Sequence, residues 1–223
     1  MNRNNGLSEI HQSSWHCSHN HSGNEHPKCW ERFVATFGNE RVGFLDIESS
    51  NLQGDFGFMF SWALKEYNGQ VYGDCLKKRD FQNGLGMDKR IIKSLIEILP
   101  TFDRIITFYG TYFDVPFCRT RALDVGVKFP FSRQLRHTDV WFIARSKLKL
   151  HSNRLESVAD FLRVKEKYGL SKTKLEPRIW RKAAFGDETS LKLIYKHNIK
   201  DVEVLEKVYE ELLPYFTDTR RSI

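Results

Sequence analysis

The stretch Val42-Gly43-Phe44-Leu45-Asp46-Ile47-Glu48 decides the fold, because it predicts a buried strand that ends in two closely spaced carboxylates. Residues two apart on an extended strand point to the same face, so we expect Asp46 and Glu48 to stand side by side. Two anions placed in this way repel each other and raise the cost of desolvation, which a divalent cation removes. A strand end whose acids simply reach solvent has the same pattern, so the interpretation depends on partner residues elsewhere.

The apolar pattern around this stretch predicts one α/β domain. Strands are predicted at 42–47, 56–64 and 70–76, and the Asn-Gly pair at 68–69 marks a hairpin turn between the last two. A helix at 88–99 then leads to a strand at 104–108, which should lie parallel to the first strand after the helical crossover. The rest is predicted to be mostly helical, at 114–123, 138–146, 155–162, 178–184 and 187–213, with a charged loop at 165–174.

Composition limits the class of protein. Hydrophobic residues make up 40% of the 223 residues and charged residues 28%, which is typical of a globular domain with one sizeable core. No apolar run approaches the roughly 18–20 residues of a membrane span, and the first residues do not resemble a signal peptide, so we expect a cytoplasmic protein. Residues 128–223 carry 21 Lys and Arg against 13 Asp and Glu. This basic half favours a polyanionic partner, with a solvated helical surface as the equal alternative.

Residues 1–38 form an arm of different composition, which holds five of the eight histidines. The spacing Cys17-x3-His21-x4-His26-x2-Cys29 offers four ligands for a tetrahedral structural Zn²⁺. The metal would supply folding energy that so polar a segment cannot gain by burial. His16 and His19 are competing ligands, and a flexible His-rich tail is the alternative.

Two further stretches accompany the acids at 46 and 48. Tyr109-Gly110-Thr111-Tyr112-Phe113-Asp114 follows the fourth predicted strand, and His197-Asn198-Ile199-Lys200-Asp201 lies on the last helix. Together with Leu45-Asp46-Ile47-Glu48, they resemble the three sequence blocks of the DEDD (DnaQ-like) 3′–5′ exonuclease superfamily, and within it the YprB-like ribonuclease H-like family. The resemblance covers residues 41–213. It implies an α/β ribonuclease H-like fold for residues 39–216, followed by a tail at 217–223, and a single-stranded DNA or RNA substrate.

The resemblance also implies that Asp46, Glu48, Asp114 and Asp201 hold two Mg²⁺ or Mn²⁺ ions. Carboxylate oxygens suit these hard cations, and two ions roughly 4 Å apart stabilise both the attacking and the departing oxygen of a phosphodiester. Asp46 is predicted to bridge the ions, Glu48 and Asp201 to complete one shell, and Asp114 to hold the second ion, in part through water. Taken alone, Asp114 is also a typical acid of a helix N-terminus, and Asp201 a typical solvent-facing acid.

His197 is predicted to activate the attacking water. In the superfamily, a Tyr stands four residues before the last Asp in one branch, and a His five residues before it in the other. Here the residue four before Asp201 is His197, and the residue five before it is Lys196. Residues i and i+4 share a helix face, so His197 should reach the site, and imidazole is a suitable base near neutral pH. A histidine at the helix surface or core edge is the alternative.

Basic and aromatic residues are predicted to contact nucleic acid. Tyr109 and Tyr112 are expected to stack on or wedge the terminal base. The predicted phosphate contacts are Arg145, Lys147, Lys149, Arg154, Lys172 and Lys174. Asp139 is interpreted as a helix cap or as a group that supports the metal ligands, and not as a ligand itself. Two other functions suit the sequence: a non-catalytic nucleic-acid-binding module, and a structure-selective endonuclease on the same fold. The four intact acids favour an enzyme over the non-catalytic module.

Overall fold

The computed structural model describes residues 17, 21–31, 40–130, 135–170 and 174–215. Within them, one sheet has the strand order β3-β2-β1-β4-β5. Its strands are β1 (Val42–Ser49), β2 (Met59–Glu66), β3 (Val71–Cys75), β4 (Arg104–Thr107) and β5 (Arg136–Asp139). β1 is central and pairs antiparallel with β2 and parallel with β4, while β2 pairs antiparallel with β3 and β4 pairs parallel with β5. The predicted antiparallel strands and the parallel β4 are confirmed.

Helices flank the sheet. They are α1 (Lys89–Ile98), α2 (Asp114–Asp124), α3 (Val140–Lys147), α4 (Leu155–Phe161), α5 (Val164–Tyr168), α6 (Pro177–Ala184) and α7 (Glu188–Leu212). Short 3-10 helices lie at Lys78–Gly86, Leu99–Thr101 and Leu213–Tyr215. In the part of the chain described above, no helix is long and apolar enough to cross a membrane.

Alternate residues of β1 enter two apolar clusters on opposite faces of the sheet. Leu45 and Ile47 pack with side chains of α1 and α2 in one cluster. Val42 and Phe44 pack with α3, α4 and the C-terminal half of α7 in the other. Because Asp46 and Glu48 continue the alternation of Phe44, they project toward the face that α7 covers.

The structure corrects two predicted elements. The sequence predicts a single helix over 138–146, whereas residues up to Asp139 belong to β5 and the helix begins at Val140. β5 has only four residues and a polar sequence, and its pairing with β4 and its buried hydrogen bonds stabilise it instead of apolar side chains. The predicted charged loop at 165–174 contains most of α5, whose one short turn is too brief for a periodic pattern.

A buried ion pair fixes the loop that leaves β1. Asp88 is fully buried and accepts hydrogen bonds from Arg121 Nε and Nη2, each at 2.8 Å, and from Met59 N at 2.9 Å. Arg121 on α2 also donates to Gly54 O at 3.2 Å. These contacts tie α2 to the loop between β1 and β2, so the first turn of α2 has a defined position beside the end of β1.

Candidate active site

Helix α7 brings two side chains to the end of β1. His197 Nε2 lies 3.6 Å from Glu48 Oε1 and 3.7 Å from Asp201 Oδ2. One possible ligand atom from each of the three residues lies within 4.8 Å of the other two. His197 and Asp201 are one helical turn apart and share a face, as the spacing predicts. A strand and a distant helix thus meet in a group of two carboxylates and one imidazole.

Asn198 connects the same helix to the first acid of β1. Its Nδ2 donates to Asp46 Oδ2 at 2.6 Å, and its Oδ1 accepts from Ser61 Oγ on β2 at 3.1 Å. The amide is completely buried, so these two contacts fix its orientation and that of the Asp46 carboxylate. Sequence analysis did not single out Asn198. An asparagine that follows the helical period of the buried face of α7, three residues before Asp201, is the pattern that could have identified it.

Asp114 is buried at the first residue of α2 and contacts the backbone of β1. Its Oδ1 accepts a hydrogen bond from Ile47 N at 3.1 Å. The parallel pairing of β1 with β4 reaches only Phe44, so the amide of Ile47 lies beyond the ladder and is available to the carboxylate. Asp114 therefore lies against the backbone of β1 between Asp46 and Glu48. Of the four predicted acids, the structure brings Glu48 and Asp201 into one group with His197, while Asp46 and Asp114 contact Asn198 and the Ile47 amide.

Asp139 organises the turn that precedes Asp114. Its Oδ1 accepts from Tyr109 N at 2.8 Å and from Trp141 N at 3.1 Å, and its Oδ2 accepts from Thr111 N at 2.9 Å. The prediction that Asp139 caps a helix is confirmed, since it is the N-cap of α3. Tyr109 has a φ of 69°, in the left-handed region that non-glycine residues seldom adopt. The hydrogen bonds from Tyr109 N and Thr111 N stabilise this unusual turn.

His137 lies buried beneath the turn. Its Nε2 forms a 2.8 Å hydrogen bond with Thr107 Oγ1, and a Cβ added to Gly110 would lie only 2.3 Å from that oxygen. Burial lowers the pKa of His137 to about 4, and the nearby Arg104 acts in the same direction, while Asp139 opposes them. The imidazole is therefore neutral at pH 7, and its hydrogen bond holds Thr107 in place beneath the turn.

An aromatic surface lies beside the acids and consists of Tyr109, Tyr112, Trp141 and Phe142. The ring centres of Tyr109 and Tyr112 lie 5.0 and 5.8 Å from that of Trp141, and Tyr112 lies 5.7 Å from Phe142. Tyr109 is 44% exposed and Tyr112 is 57% exposed. The guanidinium of Arg145 lies 4.9 Å from the Trp141 ring centre. Sequence analysis named Tyr109, Tyr112 and Arg145 but missed the two rings of α3, which the chain brings there only by folding.

A cleft of about 760 Å³ connects Tyr109 and Trp141 of the aromatic surface with Asp46. Its lining includes Asp46, Leu52, Phe108, Tyr109, Trp141, Ser152, Asn153, Arg154, Leu155 and Glu156. Of the other predicted phosphate contacts, Lys147 and Lys149 are exposed near the end of α3. Lys174 is exposed and lies 3.5 Å from Glu156, while Lys172 lies outside the described residues.

A second group of metal-ligating side chains lies in the N-terminal arm. Potential ligand atoms of Cys17, His26 and Cys29 lie within 4.8 Å of one another, and Cys17 Sγ is 3.4 Å from His26 Nδ1. His21, the fourth predicted ligand, is exposed and packs its ring edge-on against His26 with 5.5 Å between centres. The structure therefore brings three of the four together, and His16 and His19 lie outside the described residues.

Comparisons with known proteins define the class. A family model described as the RNase_H superfamily matches residues 43–213, so the chain belongs to the RNase_H superfamily, and its α/β sheet with flanking helices is the ribonuclease H-like fold that the sequence predicts. Membership supports a nuclease that acts on nucleic acid with divalent metal ions. No curated protein matches the sequence.

A solved structure supports the fold. The chain resembles a family B DNA polymerase from the hyperthermophilic archaeon Pyrobaculum calidifontis, with a TM-score of 0.58 and 18% sequence identity. The match covers 77% of this chain and 24% of the polymerase, so the chain spans about a quarter of that protein. At this identity the likeness concerns the fold alone.

Proposed function

We propose that the chain is a DEDD-type 3′–5′ exonuclease that hydrolyses phosphodiester bonds of single-stranded DNA or RNA by a two-metal-ion mechanism. The observation that carries the proposal is the group that Glu48 of β1 forms with His197 and Asp201 of α7. Asp114 of α2 bonds to the backbone of β1 between Asp46 and Glu48. These contacts support the interpretation of the three sequence blocks as parts of one site.

The donor atoms suit divalent cations. Ligand atoms of Glu48 and the buried Asp201 lie within 4.8 Å of each other, and buried carboxylates that lie near one another favour a neutralising cation. Asp46, Glu48, Asp114 and Asp201 would hold two Mg²⁺ or Mn²⁺ ions, since both ions take carboxylate oxygens. The chemistry that such ions would supply is a lowered pKa for water and stabilisation of the charge on the departing oxygen.

The chain itself holds the acids in fixed orientations. Asn198 fixes Asp46, the amide of Ile47 fixes Asp114, and Asp139 fixes the turn that precedes Asp114. Preorganised ligands lower the cost of reaching the reactive geometry, because their rotamers need not be ordered during the reaction.

The cleft supports an unpaired substrate. Its volume of about 760 Å³ is in the range of small-molecule pockets, so one or a few nucleotides fit in it. Its lining includes Asp46 and also Tyr109 and Trp141, on which an unpaired base can stack. Arg154 lines the same cleft and is available to a phosphate.

The test uses end-labelled linear and circular single-stranded oligonucleotides with Mn²⁺. We expect mononucleotides from the linear strand, released from its 3′ end, and an intact circle. Asp46→Asn and Asp201→Asn should abolish cleavage, while the matched variant Asp160→Asn, at an exposed acid of α4, should cleave like the wild type. A nicked circle would indicate an endonuclease, and binding without cleavage would indicate a non-catalytic module.

We also propose a structural Zn²⁺ in the N-terminal arm. Ligand atoms of a tetrahedral zinc with bonds of roughly 2.0–2.3 Å stand about 3.5 Å apart, close to the 3.4 Å between Cys17 and His26. Cys29 would be the third ligand, and His21, His16 or His19 the fourth. Elemental analysis should find one equivalent of zinc, retained in Cys75→Ser and lost in Cys29→Ser. A zinc-free wild type, purified in the presence of Zn²⁺, would contradict this.

A further inference from the structure

The position of His197 suggests that its Nε2 binds a metal. The distances from Nε2 to Glu48 Oε1 and Asp201 Oδ2 are 3.6 and 3.7 Å. Hydrogen bonds between nitrogen and oxygen span about 2.7–3.2 Å, so neither distance is a hydrogen bond. Neighbouring ligands of one cation, with bonds of roughly 2.2 Å, stand about 3–3.5 Å apart. His197 Nε2 is therefore only slightly farther from each of the two carboxylate oxygens than ligands of a shared ion are from each other, and all three donor atoms lie within 4.8 Å of one another.

Their surroundings favour the same interpretation. The side chains of His197, Glu48 and Asp201 are 12%, 16% and 3% exposed, so the donor atoms are largely shielded from solvent. His197 and Asp201 lie on one face of α7, a helix of 25 residues, and Glu48 lies on the central strand. Rigid elements on both sides allow small side-chain adjustments to close the group around an ion.

We propose that His197 Nε2 is a direct ligand, with Glu48 and Asp201, of one of the two cations, and that this site selects Mn²⁺ over Mg²⁺. The inference rests on the metal site of the proposed function. Mg²⁺ is held mainly by oxygen atoms, whereas imidazole nitrogen suits first-row transition metals. A ligated Nε2 cannot accept a proton from water, so this role replaces that of general base, which the sequence predicts for His197.

The test uses the full chain, stripped of metal, with Mn²⁺ alone as the probe. Electron spin echo envelope modulation of bound Mn²⁺ should show the ¹⁴N coupling of a ligated imidazole, and ¹⁵N-histidine labelling should replace it. His197→Ala should remove the coupling and raise the Kd for Mn²⁺ at least about 10-fold, with the Kd for Mg²⁺ changed less than about threefold. The control His151→Ala, at an exposed histidine outside both groups of possible metal ligands, should leave coupling and Kd unchanged.

The outcomes separate this inference from the proposed function. Bound Mn²⁺ without imidazole coupling in the wild type would overturn the inference and leave a metal site made of carboxylates. A His197→Ala variant that cleaves slowly but binds Mn²⁺ with unchanged Kd would also overturn it, in favour of the base. A wild type that binds no Mn²⁺ would overturn both. Because the coupling is measured in the wild type, the test remains decisive if His197→Ala does not fold.

Discussion

Lowering the pH from 7 to 4 should remove about 3 kcal/mol of unfolding free energy through His137 alone. The folded protein holds the pKa of this buried imidazole at about 4, against an ordinary value of 6.5. Each pKa unit corresponds to about 1.4 kcal/mol, so the difference amounts to about 3 kcal/mol. The sign follows from burial: the unfolded chain takes up the proton near pH 6.5, whereas the folded chain resists it. The contribution of neutral His137 to the unfolding free energy is therefore fully present above pH 6.5, and it is lost as the pH falls toward 4.

The assay is urea unfolding, followed by tryptophan fluorescence at pH 7, 5.5 and 4, of the wild type and His137→Gln. The glutamine side chain can bond to Thr107 Oγ1 but does not titrate. All other titrating groups are common to the two proteins, so the difference between their pH profiles isolates His137. The wild type should lose about 3 kcal/mol more than the variant between pH 7 and pH 4. Equal losses, within about 1 kcal/mol, would refute a buried and neutral imidazole.

Three substitutions test other contacts, two of them in the candidate site and one in the buried ion pair of Asp88 and Arg121. Asn198→Ala should lower the single-turnover cleavage rate roughly 10–100-fold, because a hydrogen bond to a charged group such as Asp46 is worth about 1.5–3 kcal/mol; an unchanged rate would exclude a positioning role. Arg121→Met should lower the urea-derived unfolding free energy by about 3–5 kcal/mol by leaving Asp88 unpaired, and adding Asp88→Asn should recover part of the loss. No recovery would mean that burial of the lone charge is not the cause. Trp141→Ala should weaken single-strand binding by about 1–3 kcal/mol in fluorescence anisotropy, and unaltered affinity would remove the ring from the substrate surface.

The sequence predicted those parts of the fold and site in which one periodic pattern carries the information. The alternation of β1 places Asp46 and Glu48 on one face, and the four-residue spacing of α7 places His197 with Asp201. These patterns depend only on local geometry, so they can be recognised without the rest of the molecule. The arrangement of Glu48, His197 and Asp201 as one group then follows from the meeting of two well-predicted elements.

The features that the sequence did not predict depend on contacts between distant residues. β5 forms a strand because it pairs in parallel with β4 and because His137 forms a hydrogen bond with Thr107. Asn198 positions an acid only because α7 crosses β1 and β2, and its bond to Asp46 joins residues that are 152 apart in the chain. Trp141 joins the aromatic surface through the packing of α3 beside the turn at Tyr109. Apart from Asn198, whose position in the helical period of α7 is a weak local signal, none of these side chains belongs to a local pattern that distinguishes it from an ordinary polar or core residue.

The location of the site follows from unequal strand lengths at one edge of the sheet. β1, β4 and β5 run parallel, so their carboxyl ends meet at the same edge, where ligand sites of α/β sheets form. β1 continues to Ser49 although its pairing with β4 reaches only Phe44, and this extension carries both acids past the ladder. The buried amide of Ile47 in this extension donates to Asp114, while β5 ends in Asp139, which fixes the turn that precedes Asp114. A β1 shortened to the length of β4 would lack both Asp46 and the amide that binds Asp114, so the extension of the central strand beyond its neighbour is what creates the site.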